Sequence, residues 1–116
     1  LPDENQWEAA AGGKEGRIYP WGDEWDKDKC NNGHTGIKRI SPVGIFEKGN
    51  NPEGIADLSG NVWEWSIDEY KKNSSNRVLR GGHWVSDEQG CRSGYRYYYH
   101  PEFRSNTIGF RLVFVP

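Results

Sequence analysis

Two carboxylates and a bend in the backbone lie close together in the segment "DLSGNVWE". Asp57 and Glu64 can supply side-chain oxygens, and the glycine-bent backbone between them can add the carbonyl oxygens of Gly60 and Val62. Calcium takes mixed oxygen sets of this kind. Carboxylates near glycine are also common in turns, and from spacing alone the interpretation of Asp57 as a turn cap is favoured. The segment is a calcium-site candidate that needs support from elsewhere.

The histidines and cysteines are scattered and do not have the spacing of a zinc site. Cys30 and Cys91 could form a disulfide if they meet in space, or both could be plain buried thiols. Cys91 together with His83 or His100 is the only candidate for an enzymatic thiol or metal site. These residues alone therefore leave the chemistry of the two thiols open.

Aromatic and arginine residues alternate near the end of the chain, in the segment "CRSGYRYYYHPEFRSNTIGFR". Binders of single-stranded nucleic acid use such mixtures, but acidic residues lie in the same region and the formal net charge of the chain is -2. Tyr, Ser, Gly, Asn and His are also the residues that paratopes use for protein contacts. We therefore expect a protein or cell-surface ligand and no nucleic acid, with ordinary core packing of some tyrosines as the alternative.

A length of 116 residues allows one domain with one core, which we assign to residues 1–116. No stretch has the apolar length that crosses a bilayer, so we expect no membrane insertion. The six Trp, six Tyr and four Phe indicate a folded domain, and 15 Gly favour loops and short strands over helices. The oligomeric state cannot be read from these features.

The elements that must position these residues are few. One helix is predicted over residues 1–13, because Pro2 and Asp3 suit its start and Gly12–Gly13 stop it. Apolar alternation predicts strands, and the sequence between them is too polar and too interrupted by proline to form one regular element. The predicted strands cover residues 62–67, 77–85 and 108–115, with a short extended piece at 40–46. The fold class is therefore α+β, with one or two helices, a few short strands and long ordered loops.

Five segments follow one another in a fixed order: "LPDENQWEAAAGG", "YPWGDE", "GIADLSGNVWEW", "RVLRGGHW" and "CRSGYRYYYHPEFRSNTIGFRL". In sequence and in order they resemble segments of the formylglycine-generating-enzyme-like (sulfatase-modifying-factor) family, from Leu1 to about Val115. The resemblance implies a variant of the C-type lectin fold. The strands that precede "LP" in the family are missing from this chain, so we expect the fold to be trimmed or completed by another segment.

The resemblance bears on catalysis. Formylglycine-generating enzymes oxidise a sulfatase cysteine with oxygen at a copper-bound pair of cysteines. The family pattern places those two positions at Glu88 and Ser93, and neither is a thiol. Without thiolates there is no soft-ligand site for Cu(I), so we expect no copper and no catalytic residues. The alternative is a divergent oxidoreductase of the same family that uses another cofactor.

The resemblance also supports the calcium candidate. The family pattern places ligands of a structural calcium ion at Asp57, at the carbonyls of Gly60 and Val62, and at Glu64. All four residues are present.

One branch of the family uses the fold to bind. The variable proteins of diversity-generating retroelements vary residues between "GGSW" and "IGFR", and His83 stands here where the usual motif has Ser. A generic non-catalytic relative without diversification is the alternative. The ligand-binding residues that this branch implies are His83, Val85, Ser86, Asp87, Tyr95, Tyr97, Tyr98, Tyr99, His100, Phe103, Ser105, Asn106 and Thr107.

The resulting hypothesis is a non-catalytic ligand-binding module that displays a Tyr-rich surface on a C-type lectin scaffold. One or two tyrosines should dominate affinity, since Tyr is enriched at hot spots. Its expected location is the cell surface, the extracellular space or a phage particle rather than the cytoplasm.

Overall fold

The computed structural model describes residues 1–114 and shows one helix and one small sheet. The sheet has the strand order β3-β2-β1-β4, so β3 and β4 are its edges. The α+β class is confirmed. The elements in chain order are α1 (Glu4–Gly12), a single 3₁₀ turn (Glu47–Gly49), β1 (Trp63–Glu69), β2 (Arg77–Arg80), β3 (Arg96–Tyr99) and β4 (Ile108–Gly109).

Helix α1 forms where the sequence predicts it. The Asp3 side chain caps its start by accepting from the Gln6 N–H, and the Gln6 side chain accepts from the Asp3 N–H in return. Gly13 ends the helix with a φ of 69°, a conformation that glycine adopts without strain. Trp7 and Ala11 on its inner face pack against Leu58 and form one of two small buried clusters.

The pairing of the strands decides which side chains share a face. Strands β1 and β2 are antiparallel, as are β2 and β3, whereas β4 runs parallel to β1. Leu79 is opposite both Trp65 and Tyr97, and these three lie on one face. We call this face the aromatic side of the sheet. The other face, the helix side, contacts α1.

The helix side carries Glu64, Arg80 and Arg96, which are paired across β1, β2 and β3. Arg80 is 1% exposed, donates to Glu4 at 2.9 Å and to Glu8, and lies over the Trp7 ring at 5.3 Å. It also donates to the Ser93 carbonyl at 2.6 Å. One guanidinium therefore joins α1, the sheet and the segment before β3.

Four sequence predictions are corrected. The strand predicted at 108–115 pairs only at Ile108–Gly109, and Phe110 and Phe114 are 64% and 88% exposed. The strand predicted at 77–85 ends at Arg80, because Gly81 and Gly82 turn the backbone with φ values of 101° and 76°. Residues 40–46 contain a turn, with Gly44 at a φ of 88°, instead of forming an extended piece. Strand β3 lies inside the segment that was predicted to lack regular structure, because β2 offers it a full antiparallel edge. Val115, at the end of the predicted strand, lies outside the described residues.

No helix among residues 1–114 is long and apolar enough to cross a bilayer.

Candidate aromatic binding site and the Asp57–Glu64 corner

Trp63 is the platform of the aromatic side. It is 6% exposed, and its backbone N–H donates to the Thr107 carbonyl at 2.7 Å. Its ring lies 5.6 Å from His83, 6.0 Å from Tyr95 and 5.1 Å from Tyr97, measured between centroids. Aromatic contacts at these distances contribute about 0.5–1.5 kcal/mol each beyond simple burial. Trp63 therefore orders three of the predicted binding residues.

Part of this ordered surface remains open to solvent. Tyr97 is 40% exposed, and Val85 in the neighbouring loop is 55% exposed. Trp84 links this loop to the next one, because its indole N–H donates to the Asn106 carbonyl at 3.2 Å. The Ser105 and Thr107 hydroxyls are hydrogen-bonded to each other at 2.8 Å. The structure thus brings loop 83–87, Tyr97 and loop 103–107 to one region.

Ser86 fixes the position of His83 through two contacts of its hydroxyl group. The Ser86 hydroxyl accepts from the His83 N–H at 2.9 Å and lies 2.7 Å from His83 Nδ1. Burial against Trp63 lowers the pKa of His83, which favours the neutral ring. Ser86 itself is 8% exposed, so it supports the surface from beneath. Asp87 is exposed, and one of its oxygens accepts from the Gly90 N–H at 3.0 Å.

The remaining predicted residues lie in two other groups. Tyr98 points to the helix side, where its ring is 4.3 Å from Tyr70, and it lies 5.8 Å from the Tyr97 ring around the edge strand. Tyr99, the last residue of β3, stacks on Phe103 at 3.8 Å and lies 5.1 Å from His100. The run of tyrosines is therefore divided, because successive residues of a strand point to opposite faces.

Tyr70 is a half-buried aromatic residue beside β3 that was not predicted to belong to the aromatic surface. It follows β1 directly, and Arg96 lies over its ring at 4.8 Å while donating to its carbonyl. The only sequence signal was an aromatic residue at the end of an alternating strand.

The Asp57 half of the calcium candidate has one free ligand atom. Asp57 has a φ of 55°, and its Oδ2 accepts from the Gly44 N–H at 2.8 Å. Its Oδ1 is buried and has no hydrogen-bond partner. Buried carboxylate oxygens are normally paired, so this atom is suited to a cation.

The Glu64 half is largely occupied. Its Oε1 accepts from the Trp7 indole at 2.9 Å and from Arg111 Nε at 2.6 Å, and its Oε2 accepts from Arg111 Nη2 at 2.9 Å. Glu64 outweighs the effect of burial on Arg111, so the pKa of Arg111 is raised. Arg111 also donates to the carbonyls of Ala56 and Asp57. Of the four lone pairs of this carboxylate, one on Oε2 remains for a metal.

The corner leaves Asp57 Oδ1 and a single lone pair of Glu64 as the oxygens that would hold a calcium ion, and Arg111 lies beside them as a cation already paired with Glu64. Gly60, at a φ of 76°, holds the bend between the two carboxylates. Within residues 1–114 no group of three His, Cys, Asp or Glu side chains is arranged to hold a metal, so carbonyl oxygens would have to complete this site.

Neither of the two positions that correspond to the family's catalytic cysteines carries a thiol. Glu88 is exposed, and its carbonyl accepts from the Tyr19 hydroxyl at 3.1 Å. Ser93 is buried and its N–H donates to the Ile18 carbonyl at 2.8 Å. The Cys91 thiol lies in a buried cluster with Tyr19 and Cys30, and neither His83 nor His100 belongs to that cluster.

A model of the Sulfatase-modifying factor enzyme 1-like domain matches residues 1–115, and the chain belongs to this family. The bovine (Bos taurus) "Inactive C-alpha-formylglycine-generating enzyme 2" is 35% identical over 130 residues, which cover 97% of this chain and 43% of that protein. The "Formylglycine-generating enzyme" of Streptomyces coelicolor is 31% identical over 145 residues, which cover 97% of this chain and 46% of that protein. Both an inactive protein and an enzyme are therefore among its relatives.

Among solved structures, Treponema denticola variable protein 1 superimposes with a TM-score of 0.78 at 26% identity, covering 95% of this chain and 45% of that one. The fold is the formylglycine-generating-enzyme type of the C-type lectin fold. The chain spans less than half the length of these three relatives.

Proposed function

We propose that this chain is a non-catalytic ligand-binding module that contacts a protein or cell-surface partner through the exposed rings of the aromatic side. The observation that carries the proposal is Tyr97, whose ring packs at a tilt against the buried Trp63 at 5.1 Å and remains 40% exposed. A ring that is held in place before binding loses little conformational entropy when a partner arrives. Tyr97, with the neighbouring His83 and Val85, forms the centre of the proposed contact surface.

The surroundings of Tyr97 suit a variable contact surface. The loops 83–87 and 103–107 carry exposed side chains, but their backbones are anchored by Trp84, Ser86 and Thr107. Substitutions at Val85 or Asn106 would therefore change the surface without removing these anchors. This separation of anchors from exposed positions, together with the likeness to Treponema denticola variable protein 1, supports the idea that the region is diversified.

The absence of thiols at Glu88 and Ser93 and the likeness to an inactive relative favour binding over oxidation. The partner would be met at the cell surface, in the extracellular space or from a phage particle. Because the chain spans less than half of each relative, the proposal concerns this module and not a whole protein.

The test uses a phage-displayed library of random linear peptides as the probe. Peptides are selected on the immobilised chain, synthesised, and titrated against the chain and its variants. We expect Tyr97→Ala to weaken the binding of the selected peptides at least about tenfold, because a central aromatic hot spot contributes 2 kcal/mol or more.

Two matched controls sharpen the result. Tyr98→Ala removes the same ring from the helix side, and Val43→Ala removes an apolar side chain that is 81% exposed elsewhere on the molecule. Both should leave peptide affinity within about twofold. Peptides that bind Tyr97→Ala as tightly as the unaltered chain would show that the contact surface lies elsewhere.

A further inference from the structure

The two cysteines, separated by sixty positions in the sequence, meet in the interior. Cys30 is 2% exposed and Cys91 is fully buried, and both pack with Tyr19 in one cluster. Trp21 and Trp25 cover this cluster from outside, with the Tyr19 and Trp21 rings stacked at 5.2 Å. The structure holds both as free thiols that pack in the same buried cluster.

The two thiols are chemically different. The neighbouring Cys91 thiol lowers the pKa of Cys30, and the Asn32 amide, 3.5 Å from the Cys30 sulfur, acts in the same direction. The neighbouring Cys30, together with burial, raises the pKa of Cys91. Cys30 is therefore the first of the pair to become a thiolate, which is the form that attacks a disulfide.

The segment that carries Cys30 supports the loop beside Tyr97. The Gly33 N–H donates to the Ser86 carbonyl at 2.9 Å, and a Cβ on Gly33 would stand only 2.6 Å from the Val85 carbonyl oxygen. Cys91 follows the loop by four residues, and its N–H donates to the Asp87 carbonyl at 3.2 Å while its carbonyl accepts from the Ser59 hydroxyl at 2.6 Å. A covalent link between the two sulfurs would join both supports of loop 83–87.

We propose that Cys30 and Cys91 form an intramolecular disulfide that fixes loop 83–87 in its binding conformation. The disulfide is argued from the burial and contact of the two thiols, and only its effect on affinity rests on the proposed function.

The oxidant is a small-molecule disulfide such as oxidised glutathione. The Cys30 thiolate attacks it, a mixed disulfide forms, and one glutathione thiolate leaves. The Cys91 thiolate then attacks the Cys30 sulfur, and the second glutathione thiolate leaves. The pair loses two protons and two electrons, and glutathione disulfide is reduced to two thiols.

Burial of both sulfurs determines when this reaction occurs. A glutathione molecule cannot reach Cys30 or Cys91 in the closed structure, because neither is more than 2% exposed. Oxidation therefore occurs while the chain folds or during local opening. Reduction of the folded, oxidised chain should be slow for the same reason.

The experiment refolds the chain from denaturant in a mixture of reduced and oxidised glutathione, and in parallel in a reductant alone. Intact mass and a thiol-reactive dye, applied in denaturant, report the redox state. We expect the oxidised sample to lose the mass of two hydrogen atoms, to show no reactive thiol and to remain monomeric on a non-reducing gel. Its Tm should exceed that of the reduced sample by on the order of 10 °C.

Cys91→Ala is the matched control. Under oxidising conditions its Cys30 should stop at the mixed disulfide, which adds the mass of one bound glutathione because no second thiolate can displace it, and the variant should show no gain in Tm. If it does not fold, the comparison of the oxidised and reduced unaltered chain still decides the question. Two thiols that remain reactive after oxidative refolding, or a disulfide between two chains, would overturn the proposal.

The effect on affinity is measured separately with a selected peptide, using the oxidised and reduced chains. We expect the oxidised chain to bind more tightly, because loop 83–87 then has less freedom to lose. Equal affinity of the two forms would overturn the part of the proposal that concerns the loop. A disulfide without any peptide binding would count against the proposed function alone, since mass and Tm need no ligand.

Discussion

On the helix side of the sheet, buried charges meet in pairs, whereas on the aromatic side uncharged rings stack and keep their edges in solvent. Arg80 and Glu64 are nearly inaccessible and are held by Glu4, Glu8, Trp7 and Arg111. Tyr97 lies on the other face of the sheet, where its ring contacts the buried ring of Trp63.

This difference separates stability from recognition. A buried charge depends on each of its partners, so a change at one of them affects the fold. An exposed ring on a buried platform can be replaced while the platform stays in place. A binding surface that tolerates substitution is therefore expected on the aromatic side, and little variation is expected at the charged pairs.

The largest predicted effect is at Arg111. Arg111→Met leaves the Glu64 carboxylate, 5% exposed, without its cation, and the free energy of unfolding should fall by about 3 to 5 kcal/mol. Urea denaturation followed by tryptophan fluorescence measures it. Lys27→Met removes an exposed cation whose partner is Asp28 and should cost less than about 1 kcal/mol. Equal effects of the two changes would mean that the buried pair of Arg111 and Glu64 matters no more to the fold than an exposed pair.

The second prediction concerns calcium at the same corner. If calcium binds Asp57 Oδ1, added calcium should raise the free energy of unfolding by about 2.7 kcal/mol at a hundredfold excess over its Kd. Asp57→Asn should abolish this gain with little effect in EDTA, because Asn tolerates the left-handed backbone at this position. A thermal melt with and without calcium is the measurement. An equal gain in the variant would place the ion elsewhere.

Some of this arrangement could be predicted from the sequence, because the deciding interactions are local. Asp3 and Gly13 define both ends of α1 without help from other elements. The alternation in β1 likewise predicts a strand with one buried face. Motifs in a fixed order extended these local signals to a family and a fold.

The rest depends on partners that are distant in sequence. The alternation after Ile108 predicts a long strand, but β1 offers backbone groups only to Ile108 and Gly109. The division of the tyrosines between two faces could not be seen until the register of β3 against β2 was known. The contact of Cys30 with Cys91 and the ion pair of Glu64 with Arg111 arise in the same way, from tertiary packing.

The third prediction compares the same ring on the two faces. Tyr97→Ala and Tyr98→Ala should each lower the free energy of unfolding by about 1 kcal/mol, because both rings are about 40% exposed and each loses cross-strand contacts. Peptide affinity should fall only in Tyr97→Ala. Chemical denaturation and peptide titration of both variants give the comparison. A similar loss of affinity in both would mean that the surface extends around the edge strand.

The smallest predicted effect is a dependence on pH at His83. Its pKa is lowered by burial, so the unfolded chain binds the proton more readily than the folded chain does. Stability should therefore decrease as the pH falls below about 6.5, the ordinary pKa of histidine, and the loss should level off below the folded pKa. His83→Gln keeps a polar side chain but cannot titrate, so the difference in stability between it and the unaltered chain should narrow or reverse in acid. Parallel denaturation curves from pH 8 to pH 5 measure this difference. The same difference at every pH would mean that the stacked position beside Trp63 does not resist protonation, and that the aromatic side is more open to water than its packing indicates.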